Sequence, residues 1–306
     1  TALTGAQIHE TGRAEVARIR EEMESVRKQV GYQGDLAAFF VHLRTDPAFF
    51  WDSGEQLLAD YRGVRAAVER RLPELFEVFP EAGFEIRPVE PFRAKSAAGA
   101  EYQAPSVDGS RPGVFYLNTY DLSRMPRWGM ETLFLHEALP GHHFQSAIGQ
   151  ELVSLPRFRR FGSYTAYTEG WALYSEDLGV GLGLLTDPYQ RFGKLNDEML
   201  RALRLVVDTG LHLYGWSREQ AIDFMRANSS LPESEIVAEV ERYIAWPGQA
   251  LAYKIGQLRI RSLRQEAEVA LGEAFDLRAW HSQVLTSGEL PLAGLAKRNR
   301  QWIGER

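Results

Sequence analysis

The stretch LHEALPGHHFQ, residues 135–145, gathers His136, Glu137, His142 and His143 around a Pro140-Gly141 pair. Such a set suits metal-assisted hydrolysis: neutral imidazoles hold a zinc ion and a carboxylate beside them acts as base on water. The usual helix for this chemistry reads His-Glu-x-x-His, with its histidines one turn apart. Here the last position of that pattern is Pro140. In a straight helix His143 would share a side with His136 but lie two turns away, ~10 Å along the axis. Proline removes an amide donor and clashes with the preceding turn, and glycine accepts unusual dihedrals. The pair is therefore expected to loop two residues out and swing Gly141-His142 back toward His136. The plainer alternative is a helix end whose histidines merely complement its dipole.

A third ligand is needed. TAYTEGWALYSEDLG, residues 165–179, offers Glu169 and Glu176 on one helical face. Glu169 is the expected third ligand, and Glu176 is expected to orient a histidine from behind. Gly170 would permit close helix approach, with Trp171 and Tyr174 packing or lining the pocket. His143 is expected behind the ligands; on the ion itself it would close the site and favour a structural role. Glu137 is the general base.

Further groups could serve the reaction. Tyr253 and Lys254 in PGQALAYKIGQ could steady an oxyanion or the substrate. His212, with Asp208 one turn earlier, is another catalytic candidate; Asp208 could instead support a zinc histidine. Arg201 and Arg204 on the same segment could hold a substrate carboxylate in bidentate fashion.

These residues need elements to carry them. Apolar periodicity predicts helices over 4–30, 35–44, 54–79, 128–150, 164–180, 188–213, 217–228, 233–244, 248–271 and 275–285. Ser217 and Gln220 form a capping-box pattern. FEIRPVEPF at 84–92 and GVFYLNTYD at 113–121 predict two short strands, and SVDGSRPG between them reads as a loop. The expected architecture is mainly α, with a small sheet upstream of the metal-binding helix and no evident linker within residues 1–306.

Composition narrows the possibilities. The chain has 306 residues, is 44% hydrophobic and 25% charged, and carries a net charge of −6. That suits a globular protein with a sizeable core and argues against a nucleic-acid partner. The basic run RFRR at 157–160 reads as a solvated helix end. The absence of cysteine excludes thiolate ligands and disulfides, so a metal must use His and carboxylate. No apolar run reaches membrane-spanning length. The first residues lack a signal core and read as a helix already inside a fold, so the natural start is expected upstream. Compartment and oligomeric state are left open. Ser163 and Ser175 show no strand–turn–helix elbow, and GVGLGLL follows no strand.

HEALPGHHFQ, YTEGWALYSEDLG, RLVVDTGLH and PGQALAYKIGQ, in that order and with GSRPGVFYLNTYD before them, resemble a bacterial family of unknown function. Its signature is His-Glu-Ala-x-Pro-Gly-His-His. The resemblance implies a helical, gluzincin-like zinc metallopeptidase domain, similar in plan to carboxypeptidases and oligopeptidases that carry His-Glu-x-Gly-His. It supports His142 as second ligand and favours Tyr253 as the late tyrosine of such enzymes. It also implies that β-strand 113–121 acts as an edge for substrate, with Tyr116 and Asn118 as contacts. Family members are usually longer, so the chain is expected to be the C-terminal part of a larger architecture. The expected function is hydrolysis of short peptides. The alternatives are a zinc amidohydrolase acting on another amide and a metal-stabilised peptide-binding scaffold.

Overall fold

A computed structural model describes all residues 1–306. The helices in chain order are α1 (Gly5–Gln29), α2 (Leu36–Thr45), α3 (Gly54–Leu75), α4 (Pro91–Ala94), α5 (Met130–Glu137), α6 (His142–Glu151), α7 (Arg157–Phe161), α8 (Thr165–Asp177), α9 (Pro188–Tyr214), α10 (Arg218–Asn228), α11 (Glu233–Ala245), α12 (Ala252–Leu271), α13 (Leu277–Leu285) and α14 (Leu292–Gly304). Three strands, β1 (Phe84–Pro88), β2 (Ala100–Gln103) and β3 (Gly113–Leu117), form the sheet.

Local chemistry sets the boundaries. Thr4 and Ser217 head α1 and α10 with complete capping boxes, and Asp187 caps α9 ahead of Pro188. The long α9 packs along α1, and together with α2 they bury Val16, Ile19, Met23, Phe39, Phe192 and Met199. A larger core joins α3, the sheet, α5, α6, α8, α13 and α14 through residues such as Tyr61, Phe115, Phe134, Phe144, Trp171 and Trp280. Helices α8 and α12 touch backbone to backbone. A Cβ at Gly256 would overlap the Ala166 carbonyl, and one at Gly170 would overlap Gly256. The expected role of Gly170 in close approach is thus explained by its partner glycine. No helix is long and apolar enough to cross a membrane.

The mainly helical expectation and the small upstream sheet are both found, with two differences of substance. The predicted helix 128–150 is two helices, α5 and α6, broken over residues 138–141. The sheet has a third strand, β2, in the unassigned stretch between the two predicted strands and ahead of the loop SVDGSRPG, and the order is β1-β3-β2. β3 pairs parallel with β1 and antiparallel with β2, with Tyr102 opposite Phe115. All five residues of β3 are buried. The strand expected to offer a free edge is therefore the centre of its sheet, with both backbone edges in use. The outer edges belong to β1 and β2, and β2 lies beside α5 and α6.

Candidate metal centre

His136 and Glu137 end α5, and α6 begins at His142. Between them Ala138 leaves helical geometry, the Leu139–Pro140 peptide is cis, and Gly141 adopts φ −77° and ψ −129°. Gly141 lies hard against α5, where a Cβ would overlap the His136 and Leu135 carbonyl oxygens. Only glycine permits this approach. Helix α8 clamps the break: Trp171 Nε1 and Ser175 Oγ donate to the Pro140 carbonyl at 2.8 and 3.2 Å. Ser175 is thus a buried structural donor.

The result is a turn that sets the His136 and His142 rings 4.8 Å apart and perpendicular. Glu169 reaches between them from α8. Its Oε2 lies 3.6 Å from His136 Nε2 and 3.4 Å from His142 Nε2. Each of the three residues offers one ligand atom, and these atoms all lie within 4.8 Å of one another. Ligand bonds of about 2.0–2.1 Å in a tetrahedral zinc site imply ligand–ligand edges of roughly 3.4 Å. The two Glu169 contacts match that edge and exceed ordinary hydrogen-bond lengths. The donor set therefore fits a divalent ion in the His/carboxylate class.

The surroundings favour the same occupant. His136 Nδ1 lies 2.8 Å from Glu176 Oε1, with both groups buried. A carboxylate there fixes the hydrogen on Nδ1 and leaves the Nε2 lone pair facing Glu169. Burial disfavours a charged His136 ring, but Glu169, Glu176 and Glu137 outweigh it and lift its pKa to about 10. Burial would raise Glu169, yet the two imidazoles hold it well below the usual carboxylate range. Glu176 is pushed up, chiefly by burial. None of Glu137, Glu169 and Glu176 forms a salt bridge with lysine or arginine. The pocket is short of positive charge, and His136 is driven toward its charged form in compensation. Glu137 is half-buried beside this set.

The other candidates lie elsewhere or are committed to other bonds. His143 is buried against Phe84, its Nδ1 2.9 Å from the Tyr102 hydroxyl, and burial pushes its pKa down to about 4. It ties α6 to the sheet and does not reach the ligands. Asn118 Nδ2 donates to the carbonyls of Ala94, Ala97 and Ala98, which spends its amide on the loop after α4. Tyr116 is buried beneath the Arg93 guanidinium. Lys254 is fully buried between Glu15 and Glu198, at 2.8 and 2.7 Å, and cannot reach a substrate. Arg204 pairs with Glu239 and donates to the Tyr243 hydroxyl. Asp208 Oδ2 accepts from the Gly248 amide, and His212 Nε2 lies 3.0 Å from the Tyr243 carbonyl. These two hold the α11–α12 junction. His212 is also eleven residues beyond Arg201, or ~16 Å along α9. Arg201 is the arginine whose charge reaches Glu176. Tyr253 lies under both guanidiniums, at 4.3 Å from Arg204 and 5.8 Å from Arg201.

Sequence comparison agrees with the signature. The model of a family described as a bacterial protein of unknown function (DUF885) matches residues 1–298. The chain belongs to this family. The DUF885 chain is similar to a solved structure described as a "putative lipoprotein" from Colwellia psychrerythraea, at 42% identity and a TM-score of 0.96. The match covers 100% of this chain and 53% of that one. A second likeness, in fold alone, is to a structure described as a "putative lipoprotein of unknown function" from Shewanella oneidensis, with 19% identity and a TM-score of 0.83 over 97% of this chain and 56% of that one. The chain thus spans about half the length of these structures. The comparison with curated proteins found no match.

Proposed function

We propose that this protein is a zinc-dependent hydrolase that cleaves peptide bonds in short peptides, with a gluzincin-like arrangement of its helices. The observation that carries the reading is the convergence of His136, His142 and Glu169, backed by Glu176, with an unpaired carboxylate, Glu137, alongside. His136, His142 and Glu169 would hold the ion and leave a position open, as catalytic sites do and structural sites do not. When bound, zinc supplies Lewis-acid polarisation of the scissile carbonyl and makes water more acidic.

The chain's own residues do the rest. Glu137 takes a proton from the attacking water and delivers it to the leaving amine. Glu176 holds the His136 tautomer. The free edge of β2, beside α5 and α6, can pair with an extended peptide backbone. The description of similar structures as lipoproteins supports an exported protein. Amidohydrolase chemistry would use the same residues on a different amide, and a scaffold would have no use for Glu137.

The test is metal analysis of the purified protein with hydrolysis of a peptide library, using Glu137→Gln as control. The expected result is one zinc equivalent in both proteins and a loss of turnover of about 10²–10⁴-fold in the variant. Zinc without turnover in the wild type would overturn the hydrolase reading in favour of the scaffold.

A further inference from the structure

Glu137 shares one face of α5 with Met130 and Leu133, and all three stay partly exposed while Phe134, Leu135 and His136 are buried. That face is the open side of the helix that ends at the candidate metal centre. Helices α3 and α9 border α5. Asp60 of α3 meets Arg127 just ahead of α5, at 3.2 Å, and Gly193 of α9 lies against the Trp128 carbonyl. Tyr61 follows Asp60 directly, and Asp197 follows Gly193 by about one turn. The charges of Asp197 and Glu137 both reach the Tyr61 hydroxyl, which puts its tip between α9 and the base.

Four tyrosines have almost no accessible surface: Tyr61, Tyr167, Tyr174 and Tyr243. Three of them bond through the hydroxyl, to the Val284 carbonyl, to His281 and to Glu239. Buried tyrosines ordinarily find such a partner. Tyr61 has none. Its ring is held edge-on to Phe115 at 5.7 Å and tilted against Trp51 at 6.2 Å, which fixes where the hydroxyl points. Burial foremost, then the two carboxylates, push its pKa up, so it keeps its proton at neutral pH. The oxygen is not sealed in protein, in contrast to Thr132 Oγ1, another unbonded hydroxyl, on α5. A donor fixed in direction, without an acceptor and open at its tip is completed by an acceptor that arrives in the cleft.

We infer that Tyr61 is a further catalytic residue, whose hydroxyl donates a hydrogen bond to the oxygen of the scissile carbonyl. The inference rests on the hydrolase reading. As the water oxygen bonds to the carbonyl carbon, the C=O electron pair moves onto the carbonyl oxygen, where a donor counts most. Tyr61 keeps its proton throughout. The pair returns as the C–N bond breaks, and the leaving nitrogen takes the proton that Glu137 drew from water.

The test is Tyr61→Phe in the zinc-loaded protein. The change keeps the ring and removes no bond within the protein, so the melting temperature is expected to hold. For the library peptide that the wild type cleaves fastest, kcat is expected to fall by about 10²–10³-fold while KM changes less than about threefold. The phosphinic analogue of trialanine, whose charged oxygens mimic the tetrahedral state, is expected to bind the variant at least about tenfold weaker by calorimetry. Placing 4-aminophenylalanine at position 61 retains a donor and should recover most of both losses, which also covers a phenylalanine variant that does not fold. A wild type that cleaves no peptide, yet binds the analogue tighter than Tyr61→Phe does, would overturn the hydrolase reading while supporting the contact. Equal kcat and equal analogue affinity in wild type and Tyr61→Phe would overturn the inference. So would a loss confined to Tyr253→Phe, which would move the role to α12.

Discussion

Adjacent residues on α8 face two different polar clusters. Glu176 turns to His136, while Asp177 turns to Lys194, at 2.7 Å, and to Gln257. In the second cluster Lys254, Lys194 and Arg18 meet Glu198, Glu15 and Asp177, so every buried charge has a partner of opposite sign. In the first, three carboxylates meet two imidazoles and no lysine or arginine. One cluster is neutral by itself and ties α1, α8, α9 and α12 together. The other holds more carboxylates than cations and could take up a metal ion. Both are buried and ionic, so the difference lies in charge balance, and only the unbalanced cluster has chemistry left to offer.

The sharpest way to break this comparison is Lys254→Met. Removing the Lys254 ammonium leaves Glu15 and Glu198 with only Arg18 and Lys194 against them, one positive charge short, and is expected to cost about 1–3 kcal/mol, read as a fall in the denaturant midpoint. Glu169→Gln in metal-free protein loses its contacts to the two imidazoles but leaves Glu176 on His136, and is expected to lower the midpoint by less than Lys254→Met. If both variants lost equal stability, the distinction between a closed and an open cluster would not stand. Zinc supplies the converse test: at a free concentration 100 times its Kd it should stabilise the wild type by about 2.7 kcal/mol, and His142→Ala should abolish the gain.

Next in size is Glu176→Gln. A buried carboxylate behind a ligating histidine typically contributes 10–100-fold to metal affinity. The variant is expected to bind zinc weaker by about that factor in competition with a chelator, while Asp177→Asn, which looks into the balanced cluster, leaves zinc affinity unchanged. Equal losses would mean that α8 positions the ligands as a whole rather than through Glu176.

How much of this was legible in the sequence depended on whether a residue's role was local. The convergence of His136, His142 and Glu169, the break after Glu137 and the capping box at Ser217 follow from spacing and from proline and glycine chemistry, and the structure shows each arrangement. Roles set by distant partners were not legible. Nothing near Lys254 announces Glu15 and Glu198, and nothing near Asn118 announces the three carbonyls it ties. β2 escaped because AEYQ carries little alternation and gains its status from pairing with β3. The clamp of Trp171 and Ser175 on the Pro140 carbonyl was likewise hidden, since it joins helices far apart in sequence. Helix α14 did carry a signal, an apolar stripe of Leu292, Leu295, Ala296 and Trp302, which the reading of the chain did not use.

The smallest expected effect compares two buried imidazoles. His136 faces carboxylates and is driven toward the charged form. His281 is equally buried but faces no carboxylate: its Nδ1 donates to the Leu75 carbonyl at 2.8 Å, its Nε2 accepts from the Tyr174 hydroxyl at 2.8 Å, and the nearby Arg264 guanidinium also opposes its protonation. Burial lowers its pKa from 6.5 to about 3. The unfolded chain therefore binds a proton below pH 6.5 that the folded chain refuses until about pH 3. Stability from this residue is full above the unfolded pKa and is lost as pH falls through that window, by about 1 kcal/mol between pH 6 and pH 5. His281→Gln retains a donor and an acceptor but cannot titrate. The difference in unfolding free energy between wild type and variant should shrink by that amount over the same pH step. A pH-independent difference would mean that His281 binds a proton in the fold as readily as in the unfolded chain, and with it that burial away from carboxylates does not keep an imidazole neutral here.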